Sequence, residues 1–453
     1  MTRKHNHGAS GRGRVRYLIV FVLFAATTVN YADRASLSIV GPAMQAQLHI
    51  GAITLGYIFS AFGWAYVLAQ VPGGWLLDRF GSRRVYAGSI LLWSLFTFLQ
   101  GMVGLLVGGA IIVTLFMLRL LVGLAEAPAF PGNSRIVAAW FPAGERATAA
   151  GIFNSGQYLA AVAFAPIMGW LTIRFGWPSV FLFLGVMGTV LLAVWLTTIH
   201  APRQHPRVRP AELDYIASGG GLIDMDRGTG TSPKVHWRDV KLLLRRRMMI
   251  GIYIGQYGVG ALTYFFLTWF PIYLVEQRHM SILKAGIVVS LPAICGLAGG
   301  ILGGIISDAF LRRGASLSMA RKIPIVAGML LSTSMIVCNF VHANWIVVLV
   351  MSLAYFGKGI GSLGWAVVAD TAPKEMSGLY GGLFNTFGNV AAITTPIVIG
   401  YIVAVSGSFA GALVYVGANA VLAVLGYTVI AGPFERVRLD SPGTHATALC
   451  RNP

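Results

Sequence analysis

Long apolar stretches alternate with short polar segments along nearly the whole chain. Each stretch holds 18 or more residues, enough for an α-helix to cross a hydrocarbon core about 30 Å thick. Windows bounded by Gly, Pro and charged residues predict twelve such spans. We therefore expect an all-α membrane protein with twelve transmembrane helices. The expected bounds are 17–41, 52–77, 85–105, 107–132, 147–172, 178–199, 248–274, 284–306, 322–341, 345–370, 378–403 and 409–432.

One long polar interruption divides these spans into two sets of six. The interruption is rich in Arg, Pro and Gly, and we expect it to be mostly a solvated basic linker. The predicted organisation is an N-terminal tail, a six-helix bundle, a central loop, a second six-helix bundle and a C-terminal tail. Their respective bounds are 1–16, 17–199, 200–247, 248–432 and 433–453.

The two halves resemble each other at an offset of 231 residues. Pro142 stands nine residues before a Gly-Ile-Phe-Asn segment that ends at Asn154, and Pro373 stands nine residues before a Gly-Leu-Phe-Asn segment that ends at Asn385. Two parallel six-helix repeats of this kind enclose a binding site near the bilayer midplane.

Composition supports a membrane protein and charge gives its orientation. Of the residues, 56% are hydrophobic and 11% are charged, against about 25% charged in soluble domains. A formal charge of +19 could suggest nucleic-acid binding. However, 28 of the 34 Lys and Arg residues fall in the tails and loops on one side of the predicted membrane. That side is cytoplasmic by the positive-inside rule, so we expect an inner-membrane protein with both termini cytoplasmic and no nucleic-acid partner.

Five charged residues lie well inside predicted spans, away from their ends: Asp33, Arg34, Arg119, Glu126 and Lys358. A charge near the bilayer centre costs several kcal/mol and usually marks function, although some of these residues could form structural pairs or snorkel to the surface. Three cations against two carboxylates favour an anionic cargo over a cationic drug.

Arg34 is the first candidate for binding a substrate carboxylate, because its planar guanidinium can bind one bidentately. Asp33 is the neighbouring carboxylate whose protonation would be coupled to that binding. Arg119 and Glu126 are seven residues apart, almost two helical turns, and so share one face of the fourth span. Glu126 could carry a proton with Arg119 as its charge partner. Alternatively, the two form a permanent ion pair that orders the bundle.

Lys358 lies near the middle of the tenth predicted span, and we expect Ser362 and Trp365 on the same helical face. A buried lysine needs an anionic partner. That partner is either a carboxylate of the protein or the substrate.

Charged residues also cluster at the predicted cytoplasmic ends of the spans. We interpret them as a gate, in which charge networks between helices hold the cytoplasmic side shut. The residues are Asp78, Arg79, Arg83, Arg84, Glu145, Arg146, Asp308 and Arg312.

The sequence contains no Walker lysine motif, metal-ligand cluster or catalytic triad, and its three cysteines are scattered. We therefore expect no enzymatic activity, no metal and no cofactor. The expected coupling ion is H⁺, with Na⁺ left open.

Four motifs carry a family resemblance. The segment 73–84, G-G-W-L-L-D-R-F-G-S-R-R, resembles the loop signature of the major facilitator superfamily. Segments 30–35 (N-Y-A-D-R-A), 56–66 (G-Y-I-F-S-A-F-G-W-A-Y) and 119–128 (R-x-x-x-G-x-x-E-A-P) are similar to its anion:cation symporter branch, and within it to bacterial permeases for glucarate, galactarate and galactonate.

The resemblance implies the major facilitator fold and proton-coupled import of a sugar-acid anion by alternating access. The expected cargo is glucarate or galactarate, with galactonate or a hexuronate as the alternative and a drug or organic-ion exporter as the rival. The resemblance supports Asp33 and Glu126 as proton carriers. The lipid bilayer is the other expected partner, and the protein is expected to be monomeric. The expected substrate contacts are Tyr31, Arg34, Tyr66, Gln157, Lys358, Ser362, Trp365, Asn385 and Asn389.

For a dicarboxylic sugar acid we predict that Arg34 binds one carboxylate and Lys358 the other. An unpaired second carboxylate would cost several kcal/mol to bury.

Overall fold

Helices make up almost all of the chain that the structure describes. The structure is a computed structural model, and it describes residues 15–436 except 107, 143–144, 225–240, 242–243 and 372–376. Most of the two predicted tails, 1–16 and 433–453, therefore lies outside the described residues. Arg16, the last residue of the predicted N-terminal tail, is instead a buried residue of the first helix.

Twelve helices among the described residues are long and apolar enough to cross a membrane, as predicted. They are numbered here as spans 1 to 12. Their bounds are Val15–Leu48, Ala52–Phe80, Ser82–Leu105, Gly109–Trp140, Thr148–Phe175, Pro178–Thr198, Arg247–Glu276, Ile282–Arg312, Leu317–Phe340, Asn344–Val368, Tyr380–Ser406 and Ala410–Ile430.

Several helices extend beyond their predicted ends. Span 1 continues through Pro42 to Leu48, where the prediction ended at 41. Span 8 likewise runs to Arg312 rather than 306. Proline is tolerated inside membrane helices because neighbouring groups satisfy the freed backbone carbonyl, and helices can continue past the hydrocarbon layer. Proline and charge were therefore poor end markers here.

Two spans are broken near their charged residues. Span 4 consists of Gly109–Glu126 and Ala129–Trp140, and the break falls at Pro128, which lacks a backbone N–H. Span 10 comprises Asn344–Gly361 and the part up to Val368 of a second helical segment, Gly364–Thr371. Glu126 ends the first segment of span 4, and Lys358 lies in the last turn of the first segment of span 10.

Other spans contain tighter or wider turns. Spans 5, 7 and 12 each include one π-helical turn, at Ala160–Phe164, Phe265–Trp269 and Gly426–Ile430. Span 9 ends in the 3₁₀ segment Thr333–Phe340. Such π turns are frequent at functional sites.

Part of the central loop is ordered, which corrects the prediction of a mostly solvated linker. Its short helix Pro210–Ser218 packs against the start of span 1. The buried carboxylate of Glu212 accepts hydrogen bonds from the backbone N–H groups of Val15 and Arg16 at 3.4 and 3.2 Å. A carboxylate here satisfies N–H groups that have no partner within the helix and complements the helix dipole.

The two sets of six helices meet closely at one end of the bundle, the end where span 1 connects to span 2. A Cβ added at Gly56 would lie 2.7 Å from the carbonyl oxygen of Pro396 in span 11. One at Gly286 in span 8 would lie 2.7 Å from the carbonyl oxygen of Ala165 in span 5. Glycine at these positions lets the backbones of opposite halves touch, so we call this end the closed end.

Candidate functional site

The four charged side chains of spans 1 and 4 form two crossed ion pairs. Arg34 Nε donates to Glu126 Oε2 at 2.8 Å, and Arg119 Nη1 donates to Asp33 Oδ1 at 3.3 Å. All four side chains are buried. Arg119 therefore contacts Asp33 in this structure, and the alternative Arg119–Glu126 pair considered from the sequence is not formed.

Helix geometry explains the crossing. Asp33 and Arg34 are adjacent in span 1, so their side chains point about 100° apart around the helix. Asp33 is directed toward span 3, where the hydroxyl of Thr97 donates to its Oδ2. Arg119 also donates to the backbone carbonyl of Arg34 at 2.9 Å. Asp33 is thus held by Thr97 and Arg119, and Glu126 is held by Arg34.

Arg34 is surrounded by aromatic rings. Its guanidinium carbon lies 5.0, 4.6 and 4.7 Å from the ring centroids of Tyr31, Phe62 and Tyr66. A guanidinium stacks favourably on such faces, and these contacts hold the planar group in one orientation. Tyr31 and Tyr66, both expected at the site, therefore lie beside Arg34.

Some polar atoms of this network have no partner among the described residues. These atoms are buried, and they include Arg34 Nη2, Arg119 Nε and Glu126 Oε1. Because unpaired buried polar atoms are costly, the network has spare hydrogen-bonding capacity that an oxygen-rich ligand or water could use. Both polar atoms of the Asn30 and Gln100 side chains are in the same situation.

A cavity lies between the halves beside this network. The cavity is narrow, with about 50 Å³ of space open to the centres of water-sized molecules. The first half contributes Tyr31, Gln157, Tyr158 and Ala161, and the second half contributes Thr263, Phe266, Leu267, Phe270, Val289, Pro292, Ala293 and Tyr355. Ala161, Phe266 and Leu267 belong to the π turns of spans 5 and 7.

Lys358 is 5% exposed and approaches the cavity through Tyr355, whose ring centroid lies 5.1 Å from its Nζ. The helix that carries Lys358 ends at Gly361, so the predicted continuous face does not run on to Trp365. Ser362 donates to the backbone carbonyl of Lys358 at 2.7 Å. Trp365 is 55% exposed and packs edge-on against Phe384.

The two predicted asparagines form a polar chain that reaches across the halves. Asn389 donates to Asn385 and accepts from the hydroxyl of Tyr264 at 2.7 Å. Asn385 in turn donates to Gln70 of span 2 at 3.1 Å. Gln157 lines the cavity and donates to the backbone carbonyl of Asn154.

The predicted gate residues are paired differently from the expectation. Asp78 pairs with Arg135, Glu145 with Arg16, and Asp308 with Arg321. Arg79 stacks on Trp75 and Phe80, and Arg83 and Arg146 donate to backbone carbonyls. Arg84 and Arg312 lie at the same end of the bundle.

Every ion pair between two described residues at this end stays within one half. The structure therefore shows these charges bracing each half separately. A network that ties the halves together would require a different arrangement from this one.

Sequence reasoning missed several residues of the site. Thr97, Gln70 and Tyr264 each hydrogen-bond to a predicted site residue. Polar side chains inside apolar spans were the available signal for all three. The π turns gave no signal, since their composition does not differ from that of ordinary membrane helix.

Comparison with known proteins identifies the architecture. Residues 23–320 match the model of the Major Facilitator Superfamily. In solved structures, a bacterial homologue of the human lysosomal transporter Spinster, captured inward-facing and unoccupied, covers 94% of this chain and 98% of its own with TM-score 0.72 at 16% identity. A D-xylose–proton symporter covers 92% and 98% with TM-score 0.70 at 15% identity. At these identities the likeness concerns the fold alone.

Curated relatives are much closer in sequence. The chain is 60% identical over 432 residues to a Bacillus subtilis protein named "Probable galactarate/D-glucarate transporter GudP", covering 95% of each chain. It is 53% identical to "Probable galactarate/D-glucarate transporter GarP" of Escherichia coli K12, over 94% of this chain and 96% of that one. A "D-galactonate transporter" of Escherichia coli O6:H1 is 39% identical, over 95% and 98%.

Proposed function

Because the chain belongs to the Major Facilitator Superfamily, we propose that it imports a sugar-acid anion, galactarate or glucarate, together with protons. Its family and its relatives are transporters, as predicted, and not enzymes. The predicted fold class, two six-helix halves of the major facilitator type, is also confirmed.

One observation carries the proposal: Arg34, the cation best suited to bind a carboxylate, already holds the carboxylate of Glu126 at 2.8 Å. A substrate carboxylate must share or take over this guanidinium. If it takes over, Glu126 is left buried without its counter-charge, which is costly enough that the group takes up a proton instead. Competition for Arg34 thus couples substrate binding to protonation.

Asp33 supplies the second proton-carrying position in this proposal. It is held by Arg119 and Thr97, so its protonation would release Arg119. Since Arg119 also donates to the backbone carbonyl of Arg34, that release would loosen the support of the substrate-binding arginine. Asp33 and Glu126 would then act one after the other on Arg34, the residue that binds the substrate carboxylate.

The charge balance favours an anion over the cationic cargo of a drug exporter. The charged residues that lie away from the span ends comprise three cations and two carboxylates, so one positive charge is left over. The chain is more similar to relatives named for galactarate and D-glucarate, at 53–61% identity, than to one named for D-galactonate, at 39%. We therefore favour a diacid cargo, with galactonate as the alternative.

The proposed cycle is alternating access between the halves. By the distribution of Lys and Arg, the closed end faces away from the cytoplasm. Contacts between the halves at Gly56 and Gly286 lie at that end, whereas the ion pairs at the other end stay within each half. This arrangement supports an inward-open state, ready to release substrate and protons to the cytoplasm.

Uptake by the purified protein in proteoliposomes tests this function. We expect labelled galactarate to accumulate when the outside is more acidic than the lumen, and accumulation to disappear when an exchanger of K⁺ for H⁺ removes the gradient. A sodium gradient at equal pH serves as the control and should drive nothing. Accumulation driven by sodium alone, or no uptake of any sugar acid, would refute the proposal.

A further inference from the structure

Lys358 is the buried cation that the ion-pair network does not use. Only 5% of its surface is exposed. Among the described residues, no carboxylate forms an ion pair with it, since Asp33 and Glu126 are bound to Arg119 and Arg34. An isolated buried ammonium group costs several kcal/mol. Its place in the protein therefore calls for an anion that the described chain does not supply.

The cavity is lined by one aromatic neighbour of this lysine and one of Arg34. Tyr355 lines the cavity from the second half and contacts Lys358 Nζ at 5.1 Å, while Tyr31 lines it from the first half and contacts the Arg34 guanidinium at 5.0 Å. Between the halves, the rings of Tyr355 and Tyr158 come within 6.5 Å of each other. Each half therefore places one cation next to a tyrosine that lines the cavity, Arg34 next to Tyr31 and Lys358 next to Tyr355.

We propose that Lys358 binds the second carboxylate of a linear six-carbon diacid, and that this contact selects aldarates over aldonates. The inference rests on the proposed function, because it assumes that Arg34 holds the first carboxylate. The terminal carboxyl carbons of such a diacid are about 6 to 7 Å apart in an extended chain. An aldarate therefore presents one carboxylate at each end, one for the cation of each half.

Charge counting gives the same answer as the geometry. Near the middle of the spans, three buried cations and two buried carboxylates leave one positive charge without substrate. A bound diacid that exchanges with Glu126 at Arg34 still has one carboxylate without a partner, and Lys358 neutralises it. An aldonate ends in a hydroxymethyl group instead and leaves the ammonium unpaired.

A carboxylate at each end of the substrate would also let Lys358 help to draw the two halves together. Arg34 belongs to span 1 and Lys358 to span 10, on opposite halves. A diacid held by both would bridge the halves, whereas an aldonate would be held firmly by the first half alone. Selectivity and coupling of the two halves would then depend on the same lysine.

The test compares two cargoes in matched variants. Uptake and equilibrium binding of galactarate and galactonate are measured for wild type, Lys358→Gln and Lys284→Gln, a control lysine at the start of span 8 and outside the cavity lining. We expect Lys358→Gln to weaken galactarate binding tenfold or more, about 1.4 kcal/mol. Galactonate binding should stay within about twofold or improve, and the control should match wild type for both.

Equal losses for the diacid and the monoacid in a variant that melts like wild type would overturn the inference and make Lys358 a structural residue. Unchanged binding of both would overturn it as well. Should Lys358→Gln fail to fold, a competition measurement on wild type replaces it. Galactarate must then displace labelled ligand at least tenfold better than galactonate, and a smaller difference would overturn the inference. If wild type transports neither acid, the proposed function itself fails, which is a separate outcome.

Discussion

Arg34 in span 1 holds Glu126 in span 4 through its Nε, while its Nη2 is buried without a partner among the described residues. One guanidinium therefore has one nitrogen committed to a protein carboxylate and another ready for a ligand. A bidentate grip on a substrate carboxylate requires geometry that only the planar fork provides. The proposed coupling depends on this shared use.

Arg34→Lys keeps the charge and removes the fork, so we expect substrate binding to weaken at least tenfold, about 1.4 kcal/mol. Isothermal titration of the purified variant with galactarate measures this directly. Arg135→Lys is the matched control, since Arg135 pairs with Asp78 at the end of the bundle and lies outside the cavity lining. Wild-type affinity in Arg34→Lys would move the carboxylate anchor to another residue, with Arg119 next in order.

Thr97→Val removes the hydroxyl that donates to Asp33 Oδ2. Leaving a buried carboxylate short of a donor costs about 1 to 3 kcal/mol, so the variant should unfold at a lower temperature than wild type. Thr97→Ser keeps the donor and should lose less stability than Thr97→Val. Thermal unfolding in detergent compares the three proteins, and equal melting of the Val and Ser variants would show that the hydrogen bond contributes nothing.

Gly63→Val should block transport by separating the halves at their contact. A Cβ at Gly63 would lie 2.9 Å from the backbone carbonyl carbon and Cβ of Ala392 in span 11, closer than real side chains come, and valine adds two more methyl groups. Gly88→Val in span 3 is the control, because nothing lies within 4 Å of its added Cβ. Proteoliposome uptake measures both. Normal uptake by Gly63→Val would mean that this contact does not form during the cycle.

Much of the fold could be predicted from the sequence because a membrane helix is specified by local composition. Twelve apolar stretches of sufficient length gave twelve helices. The helix ends were harder, since Pro42 and the charges near Arg312 lie inside continuous helix. Where an end depends on neighbouring helices or on water beyond the hydrocarbon layer, local composition carries no signal.

The site was predictable by residue but not by pairing. Asp33, Arg34, Arg119 and Glu126 are recognisable because charge is rare inside a span, and the structure brings them together. Their crossed pairing depends on how spans 1 and 4 are rotated against each other, which spacing along one helix cannot give. For the same reason the gate residues were found as a group, but their partners Arg16, Arg135 and Arg321 were not.

The error at Lys358 has a local cause. We assumed a continuous helix through residue 365, whereas the helix ends at Gly361 and resumes at Gly364. Glycine is the poorest helix former after proline, so the run of glycines at 357, 359, 361 and 364 was a usable warning. Lys358 itself stays near the cavity and Ser362 hydrogen-bonds to its backbone carbonyl, but Trp365 belongs to the next helical segment.

Proton exchange on substrate binding tests the central claim, that the substrate competes with Glu126 for Arg34. Galactarate is titrated into wild-type and Glu126→Gln protein in buffers of different ionisation enthalpy, at pH values from about 6 to 9. We expect wild type to take up protons on binding in part of this range, and Glu126→Gln to take up about one proton fewer. Glu126→Gln should bind galactarate at least as tightly as wild type does. Glu276→Gln, at the closed end of span 7, should behave like wild type. Substrate binding by wild type without any proton uptake, or with the same uptake in Glu126→Gln, would contradict the claim.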